Sequence, residues 1–383
     1  MEFKFHLPVN IIFGCGKVNT IGEEAKKLGK KVLIVTGKNS TKKTGLLDRV
    51  IKLLEQENIS SVVFDKVEPN PLVSTVEHGV LILKENNCDI VLGLGGGSPM
   101  DCAKAISFFA CNPGDINEYI FGKEGTNSTP LILMTTTAGT GSEGDSISVL
   151  TNSSTNDKKG LKKPCMYADV SIVDPELMTT MPKSIIAATC FDALSHCIEA
   201  YVSKLSQPFT DALALMAIES ISKNIRSVYE NPKNITAWEK IAYSNTIGGM
   251  AIDIAGIAIT HGMEHPVSGL LDVVHGQGLA AIFPAFIKNS ASGNYQKFAN
   301  IAKALGENVN GLNIEETAFK CEDGIKKLLK DIDLNYTLSD LGVKEDMLNW
   351  MTDNCIKVSQ PGINNNPVLF NREQIYEIYK QSL

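Results

Sequence analysis

Three of the six histidines in this 383-residue chain lie between His261 and His275. His261 and His265 are four residues apart, and Asp192 and His196 have the same spacing in "CFDALSHCIEAY". On a helix this spacing puts both side chains on one face. The two pairs therefore predict two helices that share a buried polar site, onto which His275, in a downstream loop, would fold back.

An Asp with three His is a ligand set for a divalent transition metal. It suits Fe²⁺, Zn²⁺ or Mn²⁺ in a four-coordinate arrangement that leaves room for a substrate oxygen. A lone histidine on an apolar helix face is usually a satisfied core residue, but a cluster is harder to explain in that way. A pH-sensing or purely structural cluster is the alternative interpretation.

A glycine cluster, "GLGGGSPMDCAKA" from Gly93 to Ala105, follows a predicted buried strand and precedes a helix. Glycines allow close approach of a ligand, and the free N–H groups at a helix start attract an anion. The cluster is neither G-x-G-x-x-G nor a Walker loop, so a structural turn is the alternative. A second polar loop, "TTTAGTGSEGDS" from Thr135 to Ser146, also follows an apolar strand. Two such loops on neighbouring parallel strands predict a nucleotide crevice.

The end of the strand "VLIVTG" bears on which dinucleotide would bind. An acidic residue near this point commonly hydrogen-bonds the ribose 2′-hydroxyl. Here the residue is Gly37, followed by Lys38. Because no carboxylate would repel a 2′-phosphate and Lys38 would attract one, we expect NADP(H) to be favoured over NAD(H).

The elements around these motifs alternate in the first half of the chain. Fully apolar strands separated by helices, one of them starting near Met100, predict a parallel sheet covered on both faces. After Met181 and Pro182 only helical spacing is found. We therefore expect an α/β, Rossmann-like domain over residues 1–182, an all-α domain over residues 183–383, and a cleft between them. The predicted strands are "KVLIVTG", "SVVFDKV", "DIVLGLGGG", "LILMTTT" and "VSIVDP".

Composition and charge exclude several classes of protein. The hydrophobic fraction of 43% is that of a globular protein, and a net charge of −7 with mixed signs disfavours a nucleic-acid partner. The longest apolar stretch, "IGGMAIDIAGIAI", is shorter than the ~18 residues of a membrane span and contains Asp253, which indicates a buried helix. Nine dispersed cysteines and an N-terminus without a continuous apolar segment favour a cytoplasmic location and no membrane contact.

A nucleotide site and a metal site together favour hydride transfer. A metal would polarise an alcohol or carbonyl oxygen, and a nicotinamide would exchange hydride with the adjacent carbon. A histidine on the ligand helix that is not itself a ligand would relay the proton.

Several motifs resemble the iron-dependent, or group III, alcohol dehydrogenases over essentially the whole chain. They are "GGGSPMDCAKA", "TTTAGTGSE", "VDPEL" with "MP" soon after, "DALSHCIEAY", and "HGMEH" followed by "HG". The resemblance implies a dehydroquinate-synthase-like superfamily fold, Fe²⁺ as the metal, a small alcohol or aldehyde as substrate, and a homodimer or larger homo-oligomer.

The resemblance also assigns roles to individual residues. It implies that Asp192, His196, His261 and His275 bind the metal, and that His265 lies near nicotinamide and substrate to relay a proton or orient the substrate. The residues it places beside the dinucleotide are Gly96, Gly97, Ser98, Asp101, Thr136, Thr137, Thr140, Ser142, Asn70 and Lys158.

Two departures from the family pattern matter. Gly37 stands where the family often has Asp, which resembles the branch that uses NADP(H). Glu264 replaces a commoner small residue, and it would either support a ligand histidine or form a salt bridge.

The leading hypothesis is a primary alcohol dehydrogenase that works mainly as an aldehyde reductase. Alternatives in the same superfamily are a glycerol or diol dehydrogenase and a hydroxyacid-oxoacid transhydrogenase. A dehydroquinate-synthase-like lyase is disfavoured because the two metal helices carry no Lys or Arg for a phosphorylated acidic substrate. A non-enzymatic metal-binding protein would leave both phosphate-type loops unexplained.

Overall fold

The computed structural model describes residues 2–383 and divides the chain into two compact units. The first unit is Leu7–Thr180, and the second contains Met181–Leu383 together with residues 2–6. The predicted border between residues 182 and 183 lies two residues from this division. Nothing in the sequence indicated that the N-terminal segment groups with the helical unit.

The first unit contains a six-stranded parallel sheet with the order β1-β8-β5-β4-β2-β3 and a separate two-stranded antiparallel hairpin, β6-β7. The predicted parallel sheet is confirmed. The strands are β1 (Ile11–Phe13), β2 (Lys31–Gly37), β3 (Ser60–Val67), β4 (Ile90–Gly95), β5 (Leu131–Thr135), β6 (Ile147–Asn152), β7 (Asp157–Lys162) and β8 (Val170–Val173).

The central strands are apolar throughout because both faces of the sheet are covered. In β2, Leu33 and Val35 belong to one hydrophobic core, while Val32 and Ile34 belong to the other. Successive side chains of a strand point to opposite faces, so each core takes alternate residues. The helices of this unit are α1 (Ile21–Leu28), α2 (Ser40–Lys43), α3 (Leu46–Gln56), α4 (Val73–Glu85), α5 (Gly97–Cys111) and α6 (Ile116–Ile120).

Three features of this unit differ from the predictions. Strand β1 was not predicted from the sequence. Helix α5 begins at Gly97, three residues before the predicted start near Met100, and Ser98 lies in its first turn as the sequence indicated. The β6-β7 hairpin was not predicted, because β7 is polar and residues 153–156 read as a loop.

The second unit is helical, as predicted. Its longest helices, α7, α8 and α9, pack against one another to form its core. The helices are α7 (Lys183–Val202), α8 (Pro208–Glu230), α9 (Ile235–Ala255), α10 (Ile259–Leu271), α11 (His275–Ser290), α12 (Tyr295–Ala304), α13 (Ile314–Asp331), α14 (Leu348–Val358), α15 (Gln360–Asn365) and α16 (Arg372–Gln381).

The stretch "IGGMAIDIAGIAI" is not one buried helix. It contains the end of α9 and the start of α10, which meet at an angle of 106° around Gly256, whose φ is +67°. Helix α7 is long and apolar enough to cross a membrane by length and composition alone, but 89% of its apolar window is buried inside the protein. That burial is typical of a core helix.

Candidate metal centre and nucleotide loops

Three helices of the second unit carry the predicted metal ligands. Helix α7 carries Asp192 and His196, and α10 carries His261 together with His265, the predicted proton relay. The prediction that His275 lies on a loop is wrong, because it is the first residue of α11. Because the helix fixes the backbone at His275, the direction of its side chain is better defined than it would be on a loop.

Asp192, His261 and His275 form a group whose potential ligand atoms all lie within 4.8 Å of one another. Oδ1 of Asp192 lies 3.4 Å from Nε2 of His261 and 3.8 Å from Nε2 of His275. The carboxylate and one nitrogen of each imidazole therefore face a common point. Asp192 and His261 are buried, and His275 is partly exposed.

The two remaining histidines lie beside this group. Nδ1 of His196 is 3.5 Å from Oδ1 of Asp192, and its ring stacks on that of His261 with centroids 4.2 Å apart. The ring of His265 lies 6.0 Å from that of His275, centroid to centroid. The assignment of His196 as the fourth ligand and of His265 as a proton relay stays a prediction.

The group has the properties of a cation site. Oδ1 of Asp192 and Nε2 of His261 are buried and make no hydrogen bond, which is costly unless another partner binds them. Burial would raise the pKa of Asp192, but the His196, His261 and His275 imidazoles hold it well below its usual range. One carboxylate oxygen with imidazole nitrogens suits Fe²⁺, Zn²⁺ or Mn²⁺. The residues present therefore fit the expected metal.

Glu199, which was not predicted from the sequence, forms a hydrogen bond with the far side of the His261 ring. Its Oε1 lies 2.5 Å from Nδ1 of His261, so the imidazole can donate to it while Nε2 faces Asp192. Glu199 is fully buried on α7, seven residues after Asp192. The available signal in the sequence was its spacing, because seven residues, or two helical turns, place Glu199 on the same face of α7 as Asp192. Carboxylates in this position orient metal-binding histidines and raise their basicity.

Glu264 is arranged in the same way behind His275. One of its carboxylate oxygens accepts a hydrogen bond from Nδ1 of His275, and the other accepts one from the Ser268 hydroxyl. Glu264 is fully buried. Of the two roles that the sequence left open, the structure therefore favours support of His275.

The nucleotide-binding candidates of the first unit follow adjacent strands. Strand β4 ends at Gly95, which pairs with Thr135 at the end of β5, and β2 beside β4 ends at Gly37. Because these strands are parallel, their following loops leave the same edge of the sheet. The sequence-predicted residues on these loops are Gly37, Lys38, Gly96, Gly97, Ser98, Thr136, Thr137 and Thr140.

The glycine turn and the hydroxyl loop fit closely together. A Cβ on Gly96 would lie 3.0 Å from Oγ1 of Thr137, and one on Gly97 would lie 2.4 Å from Cγ2 of Thr140. The second contact is closer than real Cβ atoms allow, so a side chain at position 97 would displace the loop. These two loops form one continuous surface at the start of α5, where N–H groups favour an anion.

Asp101 and Ser142 bond to each other. The Ser142 hydroxyl donates to Oδ1 of Asp101 at 2.6 Å, and the backbone N–H of Val149 donates to Oδ2 at 3.0 Å. Burial raises the pKa of Asp101 against the opposing charge of Lys104. Lys104 itself is fully buried and pairs with Asp145 at 2.5 Å. These bonds tie the hydroxyl loop to α5.

The other predicted cofactor contacts lie on and around the hairpin. Asn70 follows β3 with a left-handed backbone, φ +52°, and Lys158 is a buried residue of β7. Thr151 of β6 pairs with Lys158 and also donates its N–H to the carbonyl oxygen of Pro71 at 2.9 Å. The hairpin therefore connects the Asn70 turn with Lys158, and contact of either residue with a dinucleotide stays a prediction.

Comparison with known proteins covers both units of the chain. Residues 8–175 match the family model for iron-containing alcohol dehydrogenase, and residues 186–383 match the C-terminal model of that family. The 1,3-propanediol dehydrogenase of Citrobacter freundii is 38% identical, with 99% of this chain and 98% of the relative aligned. The NAD-dependent methanol dehydrogenase of Bacillus methanolicus is 34% identical, with 99% of each chain aligned.

The fold also matches that of a solved structure. An archaeal halo-thermophilic alcohol dehydrogenase from a Red Sea brine pool superposes with a TM-score of 0.96 at 36% identity, covering 100% of this chain and 99% of that one. Sequence and fold agree over both units, and the chain belongs to the iron-containing alcohol dehydrogenase family.

Proposed function

We propose that the protein reduces small aldehydes to primary alcohols, and catalyses the reverse reaction, with NADP(H) as the preferred dinucleotide. The observation that carries this proposal is the group of Asp192, His261 and His275, in which two buried ligand atoms make no hydrogen bond. Membership of a family of oxidoreductases supports the reaction class. The relatives named for propanediol and methanol support a small alcohol as substrate.

The residues of the second unit have separate tasks in this proposal. Asp192, His196, His261 and His275 would hold the metal. A bound Fe²⁺ or Zn²⁺ would supply Lewis-acid polarisation of the substrate oxygen. His265, buried on the same helix as His261, would donate a proton to that oxygen during reduction and accept it during oxidation.

The preference for NADP(H) is supported by charge and space at Gly37. Lys38 is exposed beside it, and an acidic side chain on the neighbouring strand, Asp65, is paired with Lys42 and Lys66. These lysines hold the pKa of Asp65 below its usual range and offset its charge. A relative that is named NAD-dependent shows that the family also uses the other dinucleotide, so this preference needs a direct test.

The test is reconstitution of metal-free protein with Fe²⁺ or Zn²⁺, followed by oxidation of NADPH and of NADH with aldehydes from acetaldehyde to hexanal. We expect metal-dependent oxidation with a higher kcat/KM for NADPH. Metal-free protein and the Asp192→Ala variant serve as controls. Absence of metal-dependent oxidation with every aldehyde would contradict the proposal, and a higher kcat/KM for NADH would contradict the cofactor preference alone.

A further inference from the structure

Glu264 is a buried carboxylate on α10 that the proposed hydride transfer does not use. Its side chain is fully buried, and in the sequence it lies between His261 and His265. Burying a carboxylate is costly unless each oxygen has a partner. Here both oxygens have one, since one accepts from Nδ1 of His275 and the other from the hydroxyl of Ser268.

The neighbouring helix leaves room for this carboxylate. A Cβ on Gly278 of α11 would lie 2.8 Å from Oε1 of Glu264 and 2.9 Å from its Cγ. Gly278 is three residues after His275, so it lies almost one turn further along the same helix. Glu264 therefore fits only because α11 has no side chain at this point.

We propose that Glu264 is a positioning residue for His275, and this inference rests on the proposed metal site. By accepting a hydrogen bond from the Nδ1–H group, the carboxylate fixes the tautomer whose Nε2 carries the free electron pair. Nε2 is the nitrogen that lies 3.8 Å from Oδ1 of Asp192. The nearby negative charge also makes the imidazole a stronger ligand.

This support matters most at His275 because that ligand is open to water. Its side chain is 23% exposed, compared with 4% for His261, which has Glu199 behind it. Water and chelators would reach the metal on the His275 side. A carboxylate that keeps this imidazole in place therefore controls how fast the metal is released.

The first measurement is release of Zn²⁺ from the loaded protein to an excess of chelator. Loss of a carboxylate behind a ligand histidine typically costs about 10–100-fold in metal affinity, so we expect release from Glu264→Ala and Glu264→Gln to be faster by about that factor. Ser268→Ala is the matched control, because it removes the hydrogen bond between Ser268 and Glu264 and leaves His275 unchanged. Equally fast release from Ser268→Ala would mean that packing is responsible and would overturn the proposal.

Gly278→Ala tests the contact between Glu264 and His275 from the facing helix, α11. Its new methyl group should push the carboxylate away from His275 and speed up release. Because both changes act on one contact, the double variant with Glu264→Ala should release Zn²⁺ no faster than Glu264→Ala alone. Additive effects of the two substitutions would contradict the proposal.

The second measurement needs no metal. ¹⁵N NMR of the metal-free protein reports which nitrogen of neutral His275 carries the proton. We expect the Nδ1-protonated tautomer in wild-type protein and a shift toward the Nε2-protonated form in Glu264→Ala. An unchanged tautomer overturns the role of Glu264, whereas failure of wild-type protein to bind Zn²⁺ in an Asp192-dependent way overturns the metal site itself.

Discussion

Nε2 of His261 lies 3.4 Å from Oδ1 of Asp192, and neither atom makes a hydrogen bond although both are buried. Buried polar atoms without a hydrogen-bond partner destabilise a protein, and a ligand that binds both atoms would remove this cost. On the far side of the ring, Nδ1 of His261 has Glu199 as its partner. The ring is therefore held so that Nε2 faces the point shared with Asp192 and His275.

Replacement of His261 by Ala should abolish metal retention. The substitution removes one ligand atom of the metal. It also leaves the buried Glu199 carboxylate without its imidazole partner, which destabilises the helices around the site. Elemental analysis after dialysis measures the metal content per chain. Unchanged metal content in His261→Ala would contradict its assignment as a ligand.

Metal binding should become tighter as the pH rises. Burial alone would lower the pKa of His261, but the Glu199 and Asp192 carboxylates outweigh it and raise the pKa to about 10. The metal must therefore displace a proton from His261 at neutral pH, and the apparent affinity should rise about tenfold per pH unit between about pH 7 and 9. Metal-binding titrations at several pH values measure this slope, and a flat profile would contradict it.

The same shift predicts how the stability of metal-free protein depends on pH. The pKa of His261 is higher in the folded protein than its ordinary value of 6.5. Its ion pairs therefore stabilise the fold fully below about pH 6.5, and this contribution is lost as the pH rises toward 10. Chemical denaturation across this range should show the loss in wild-type protein, and His261→Ala should lack this part of the pH dependence.

His265→Ala should lower turnover and leave metal content unchanged. Loss of a general acid typically reduces the rate by about 10²–10⁴-fold. Single-turnover reduction of an aldehyde, together with elemental analysis of the same sample, separates the two effects. Metal loss in His265→Ala would instead make this residue a ligand.

Gly37→Asp should shift the cofactor preference toward NADH. A Cβ at this position meets only ordinary contacts, 3.8 Å to the carbonyl oxygen of Val67 and 4.0 Å to Cγ of Pro99, so the first side-chain atom fits without displacing the loop. Its repulsion of a 2′-phosphate should cost about 1.5–3 kcal/mol, by analogy with charged hydrogen bonds. Gly37→Ala is the control for size. If the ratio of kcat/KM for the two dinucleotides does not change in Gly37→Asp, the charge argument is wrong.

Gly97→Ala should weaken dinucleotide binding. Its Cβ would lie 2.4 Å from Cγ2 of Thr140, so the hydroxyl loop must move away from the start of α5. We expect KM for the dinucleotide to rise more than kcat falls, and the unfolding temperature checks that the variant is folded. Unaltered KM in a folded variant would argue against this surface as the nucleotide site.

Much of the fold could be predicted because the apolar runs and helical spacing in the sequence correspond to the strands and helices of the structure. Strand β2 was predicted with the bounds that the structure has, since it is a short apolar run between polar ends. The hairpin was missed because Lys158, Lys159 and Lys162 make β7 look like an exposed loop. Its strands are defined by pairing with each other and with the Asn70 turn, which no periodicity reveals.

The predicted ligands came from helical spacing, and their partners required coordinates. Spacing places Asp192 with His196, but whether His275 reaches them depends on where α11 starts. Glu199 looked like an ordinary acidic residue until its distance to His261 was known. Asp101 and Ser142 were both assigned to the dinucleotide, and the bond between them could not be foreseen from residues 41 positions apart.

The most direct test is an anomalous difference map from crystals of Fe²⁺-reconstituted protein, collected at the iron edge. We predict one peak per chain, at about 2.0–2.2 Å from a carboxylate oxygen of Asp192 and from one ring nitrogen each of His196, His261 and His275. A peak at other residues, or no peak in protein that still oxidises NADPH with aldehydes, would contradict the metal centre.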